Sequence, residues 1–131
     1  MSFPGTILLA DDEAHIRKYV GLILKQLGAV RLLEAANGAE AVELFAREKP
    51  DLVLLDVNMP IVDGLEALQK IRELDPDSVV IMLTSLTTRQ AVETALEHGA
   101  ANYIRKDTPR EEITKALAET IQACFGDETP A

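Results

Sequence analysis

Short apolar runs alternate along this chain with longer stretches whose apolar positions recur every three or four residues. The runs Thr6–Ala10, Val30–Ala35, Leu52–Asp56, Val79–Thr84 and Asn102–Ile104 read as five strands. Leu52-Val53-Leu54-Leu55 and Val79-Val80-Ile81-Met82-Leu83 are apolar without alternation, the pattern of a strand covered by helices on both faces and hence of a parallel sheet. Between the runs, Ile16, Val20, Ile23, Leu24 and Leu27 form one helical stripe, and Val92, Ala95 and Leu96 another, so five helices are expected. Asn37 with Glu40, and Thr108 with Pro109 at N1 and Glu111 at N3, have the form of capping boxes. Gly28 and Gly99 suit the left-handed position that ends a helix.

Strand–helix alternation repeated five times, with right-handed crossovers, predicts an open doubly wound α/β sheet of strand order 2-1-3-4-5. Such sheets bind ligands beyond the carboxyl ends of the strands, where strands 1 and 3 diverge. The 131 residues are enough for one domain, 1–131, with its core at about 5–125 and a loose tail from Gly126 to Ala131.

Composition narrows the class. Hydrophobic residues at 47% and charged residues at 27% fit a globular chain. With 22 Asp and Glu against 13 Lys and Arg, the net charge of −9 repels a phosphate backbone, so direct nucleic-acid binding is not expected. Cys124 is the only cysteine, which excludes an internal disulfide and reads as a buried helix thiol in a reducing compartment. Met1 to Gly5 lack the features of a signal peptide, and no apolar run approaches the ~20 residues of a membrane span. A cytoplasmic location, away from membranes, is the expectation.

The candidate chemistry is acidic. Asp11 and Asp12 follow strand 1 directly and Asp56 closes strand 3, so three carboxylates are expected to meet at the switch point. Two like charges about 4 Å apart repel by roughly 4 kcal/mol at an effective dielectric of 20, so such a cluster calls for bound positive charge. A loose set of carboxylate oxygens suits Mg²⁺, and the chain has neither the cysteines nor the paired histidines of a zinc site. Lys106, after strand 5, supplies one more positive charge at the same edge. With a divalent ion it balances the three aspartates. Thr84 ends strand 4 with a hydroxyl able to donate to a phosphoryl oxygen. An aspartate can attack phosphorus when a metal and a lysine neutralise the developing charge. Aspartates at strand ends are also common as caps and turn residues, but a carboxylate closing the apolar run before Asp56 has no packing rationale. His15 and His98 read as exposed helix residues without a role, and Gly64 as a loop or helix-start residue.

These residues resemble the receiver domain of two-component response regulators, including the single-domain chemotaxis type, over about residues 5 to 125. The resemblance rests on Asp11-Asp12, on Leu54-Leu55-Asp56-Val57-Asn58-Met59-Pro60 with Asp63-Gly64, on Thr84-Ser85 and on Tyr103-Ile104-Arg105-Lys106. It implies a flavodoxin-like fold and Asp56 as phosphoacceptor. It further implies Asp12 as a direct Mg²⁺ ligand, Asp11 holding metal-bound water, and the Asn58 backbone carbonyl as another ligand. Thr84 and Lys106 would contact the phosphoryl group, and Thr84 and Tyr103 would act as the switch. The phosphoryl group would come from a histidine kinase, a phosphotransfer protein or a small phosphodonor. The fourth helix, fifth strand and fifth helix would form the output surface toward a downstream protein. Such a chain is not an enzyme beyond assisting its own phosphorylation and dephosphorylation. One departure stands out: Lys106 is followed by Asp107 where the family usually has proline through a cis peptide, so a trans bond is expected here, with a negative charge beside the site.

Three other readings compete. An aspartate-nucleophile phosphatase would place a second aspartate two residues after the first, where this chain has Asn58. A pseudo-receiver interaction module usually lacks the aspartate or the lysine, and both are present. A receiver cut from a longer regulator is compatible with every motif above.

Overall fold

The computed structural model describes residues 5–29 and 31–126. Five strands, β1 (Thr6–Ala10), β2 (Arg31–Ala35), β3 (Leu52–Leu55), β4 (Val79–Thr84) and β5 (Asn102–Arg105), alternate with five helices. These are α1 (Ala14–Gln26), α2 (Gly38–Glu48), α3 (Gly64–Leu74), α4 (Arg89–Glu97) and α5 (Arg110–Phe125). All strand pairs are parallel and the order is β2-β1-β3-β4-β5, as the alternation predicts. Val30, read as the start of the second strand, and the tail beyond Gly126 lie outside the described residues.

The apolar runs divide their side chains between two cores with the period of two that a pleated strand imposes. Leu8, Val53, Leu55, Val80 and Met82 face one side, under Ala41 and Phe45 of α2, Ala67, Leu68 and Ile71 of α3, and Ala95 of α4. Ile7, Leu9, Leu52, Leu54, Ile81 and Leu83 face the other, against Val20, Ile23 and Leu24 of α1 and Ile113, Leu117 and Ile121 of α5. Fully burying a leucine or isoleucine contributes about 1.5–3 kcal/mol, so this two-sided burial is the main force fixing strand register.

Helix ends follow local chemistry. The Asn37 side chain accepts from the Glu40 N–H, while Glu40 reaches back to the N–H of Ala36, one residue before the cap. Asp63 caps α3 and Thr88 caps α4 in the same way. Gly28 and Gly99 have φ of 108° and 89°. The N–H groups of Ala29 and Ala100 return to the carbonyls of Leu24 and Ala95, closing both helices in the Schellman pattern.

Three sequence expectations are corrected. The Thr108 capping box does not form: α5 begins at Arg110 with Pro109 in the cap position, which has no side-chain acceptor, and the Thr108 N–H is still in a turn to Arg105. Leu96 is 54% exposed because the small Ala91 and Ala95 face the sheet and Leu96 lies a further 100° around α4. Cys124 is exposed, since the buried stripe Ile113, Leu117, Ile121 continues at Phe125 and leaves the cysteine off-axis. The strand edges also shift: β3 stops at Leu55, and β5 runs one residue further, pairing Arg105 with Thr84.

Candidate functional site

At the carboxyl edge of the sheet, β1 and β3 deliver their following residues to the same place. The Asp56 N–H donates to the Ala10 carbonyl at 3.0 Å, continuing the β1–β3 ladder one step past the strand, and the Asp11 N–H donates to the Ala35 carbonyl at 3.0 Å. Asp11, Asp12 and Asp56 then offer carboxylate oxygens that all lie within 4.8 Å of one another. Asp56 is 3% exposed and Asp11 2%, while Asp12 stands at the open mouth.

Lys106 enters from the end of β5, where its N–H donates to the Thr84 carbonyl at 2.9 Å. Its ammonium sits 2.8 Å from Asp11 Oδ2 and 2.9 Å from Asp56 Oδ2, with Glu13 Oε1 at 3.4 Å. Burial alone would lower the lysine's pKa, but the hydrogen bonds to Asp11 and Asp56 and their charges outweigh it and hold the ammonium protonated well above the usual range. Burial pushes the Asp11 carboxyl up, opposed by Lys106 and by the Glu13 N–H that donates to Asp11 Oδ1 at 2.9 Å. Two buried carboxylates thus share one ammonium, leaving an excess of negative charge.

Thr84 is fully buried at the end of β4, and its hydroxyl oxygen accepts the Leu86 N–H at 3.2 Å, which leaves the hydroxyl proton to donate elsewhere. The half-buried Tyr103 donates its hydroxyl to the Leu86 carbonyl. Thr84 and Tyr103, on neighbouring strands, therefore hold the same loop residue. Burial and the Asp56 charge both raise the tyrosine's pKa. Asn58 is exposed in the loop after β3, its N–H 3.4 Å from Asp56 Oδ1.

The Lys106–Asp107 bond is trans, as expected without proline. Asp107 is paired with Arg105, which binds both its oxygens, at 3.1 and 2.8 Å. His15 is exposed and His98 half-buried, and neither reaches the cluster. Sequence reasoning missed Glu13 and Arg17. Arg17 donates Nη1 to the Asp11 carbonyl at 2.7 Å and Nε to Glu34 at 2.9 Å. The available signal was helical spacing, since Glu13 and Arg17 lie one turn apart beside the Asp11-Asp12 pair.

The donor set fits a hard, oxygen-loving cation: three carboxylates converge, one of them open to solvent, and the buried pair carries more negative charge than Lys106 neutralises. Relieving that excess should stabilise the fold. In metal-free buffer Asp56→Asn is expected to raise the melting temperature by roughly 4 °C, corresponding to about 1 kcal/mol. Calorimetry showing a lower melting temperature would mean that the Asp56–Lys106 pair outweighs the repulsion.

Comparison with known proteins agrees with this geometry. Residues 7–118 match the response regulator receiver domain family. The chemotaxis protein CheY of Bacillus subtilis is 35% identical over 115 residues, covering 88% of this chain and 96% of that protein. The nitrate/nitrite response regulator NarL of Escherichia coli K12 is 38% identical over 115 residues, covering 87% of this chain and 53% of that protein. Among solved structures, the CheX–CheY–BeF3–Mg²⁺ complex of Borrelia burgdorferi is similar at TM-score 0.84 and 30% identity, over 94% of this chain and 90% of that one. A CheY-like receiver domain protein of Methanospirillum hungatei JF-1 is similar at TM-score 0.85 and 26% identity, over 93% and 97%. The fold, the carboxylate cluster and the sequence match converge: this chain belongs to the response regulator receiver domain family of two-component systems.

Proposed function

We propose that Asp56 is the phosphoacceptor of this receiver, taking a phosphoryl group from a phosphohistidine of a histidine kinase or phosphotransfer protein, or from a small phosphodonor. The observation that carries this reading is the Asp56 carboxylate, buried yet held at 2.9 Å by the Lys106 ammonium amid a converging acidic cluster. An Asp56 oxygen forms the new bond to phosphorus as the bond to the donor's nitrogen breaks, and the departing imidazole takes up a proton. Lys106 is in position to transfer one of its contacts from a carboxylate to a phosphoryl oxygen. Thr84 has a free hydroxyl proton to donate to another. Asp11, Asp12, Asp56 and the Asn58 carbonyl would hold Mg²⁺, which when bound neutralises charge developing on the phosphoryl oxygens. Calorimetric Mg²⁺ titration of an Asp12→Ala variant, expected to bind much more weakly than native, would test the exposed carboxylate among these ligands.

Phosphorylation adds about −1.5 to −2 charge beside Lys106 and Thr84 and favours the conformer that brings their donors closest. Turning the Thr84 hydroxyl toward the phosphate would break its bond from Leu86, the residue that also anchors Tyr103. This coupling supports α4, β5 and α5 as the output surface toward a downstream protein. The receiver assists its own phosphorylation and dephosphorylation and no other reaction, in the cytoplasm, binding neither nucleic acid nor membrane directly. Among the described residues no helix is long and apolar enough to cross a membrane.

Mass spectrometry after incubation with acetyl phosphate and Mg²⁺ tests the reading. The native chain is expected to gain one phosphoryl group, and to gain none in EDTA or as Asp56→Asn. No gain in the native chain would make it a pseudo-receiver. Equal gain in Asp56→Asn would place the acceptor elsewhere.

A further inference from the structure

We propose that Arg17 is a positioning residue that aims Asp12 at the cation, an inference that rests on the Mg²⁺ reading above. Arg17 projects from the first turns of α1, and its side chain is only 18% exposed. The guanidinium makes two bonds in two directions. Nε is tied to Glu34 on β2 at 2.9 Å, and Nη1 donates to the carbonyl of Asp11 at 2.7 Å. That carbonyl belongs to the peptide joining Asp11 to Asp12, so its direction sets where the Asp12 side chain begins.

The two aspartates depend on this contact to different degrees. Asp11 is held independently of Arg17: its N–H by the Ala35 carbonyl, its Oδ1 by the Glu13 N–H and its Oδ2 by Lys106. Asp12 is exposed at the mouth, and no hydrogen bond or ion pair holds its side chain among the described residues. Its carboxylate nevertheless falls within the cluster. The peptide preceding Asp12 is therefore the element that aims its carboxylate, and Arg17 fastens that peptide to β2. A planar guanidinium can bridge two acceptors at fixed angles, which a lysine ammonium on a flexible stem cannot reproduce.

Electrostatics and positioning make opposite predictions. Removing a cation near a metal site strengthens binding of another cation if charge alone matters. Removing a group that orients a ligand weakens it, typically 10–100-fold. Calorimetric Mg²⁺ titration of the full chain separates the two. Arg17→Met is expected to bind at least ~10-fold more weakly than native. In an Asp12→Ala background the same change should have little further effect, because the ligand it aims is gone. Arg17→Lys retains the charge and the stem, keeps the fold measurable if Arg17→Met does not fold, and is expected to weaken Mg²⁺ several-fold. Native affinity in Arg17→Lys, equal or tighter binding in Arg17→Met, or full additivity with Asp12→Ala would each overturn the proposal. Absence of Mg²⁺ binding by the native chain would instead overturn the metal reading beneath it.

Discussion

Lys106→Met is expected to destabilise the metal-free protein by about 3 kcal/mol at pH 7, as read by chemical denaturation in EDTA. The native ammonium is the shared partner of two carboxylates that are each almost fully buried. Deleting one member of a buried ion-paired set leaves the others uncompensated, a change that costs roughly 3–5 kcal/mol, and the solvent-facing mouth at Asp12 places this site toward the lower end. Methionine keeps the apolar stem, so the loss is electrostatic. Mg²⁺ should restore most of it by replacing the missing charge. The pH dependence follows from the raised lysine pKa: the stabilisation is complete below the unfolded-state value of ~10.4 and disappears as pH rises through the higher folded value. Native protein should therefore lose more stability than Lys106→Met in that alkaline window. Equal stability of the two in EDTA at pH 7 would show that solvent, rather than Lys106, compensates the aspartates.

Gly64→Ala is expected to cost about 3 kcal/mol or more, the upper part of the usual range for overpacking. A Cβ at this position would lie 1.9 Å from the Asp56 carbonyl oxygen and 2.8 Å from the Val57 Cα. Neither is a side chain that can swing away. The Gly64 N–H also donates to the Val57 carbonyl at 2.8 Å, so the start of α3 is fastened against the backbone that carries Asp56. Relieving the clash requires α3 and the Asp56 loop to part, so Mg²⁺ affinity should fall along with the denaturation midpoint. A variant with native stability would mean that this loop yields more readily than its bonding suggests.

Much of the fold was legible because burial on two faces leaves a direct mark on sequence. Leu52 to Leu55 and Val79 to Leu83 have to be apolar at every position when helices cover both sides of the sheet. The turns at Gly28 and Gly99 were legible for a similar reason, since an L side chain is strained at their positive φ. Boundaries and faces at the margins were less so. Pro109 rather than Thr108 takes the cap position of α5, and Leu96 faces solvent, because each outcome depends on how a helix docks and not on residue preference alone.

The sequence by itself determined the strand–helix alternation, the parallel sheet and the delivery of Asp11, Asp12, Asp56, Thr84 and Lys106 to one edge. Residues directly after parallel strands must emerge on the same side of the sheet, so chain order was sufficient. Only the tertiary structure decided how those groups divide their contacts. It gave Lys106 to Asp11 and Asp56 together, turned Asp107 toward Arg105, and ran Arg17 between the Asp11 carbonyl and Glu34. Those choices depend on distances of a few ångströms between side chains far apart in sequence, and packing sets such distances where strand and helix periodicity does not.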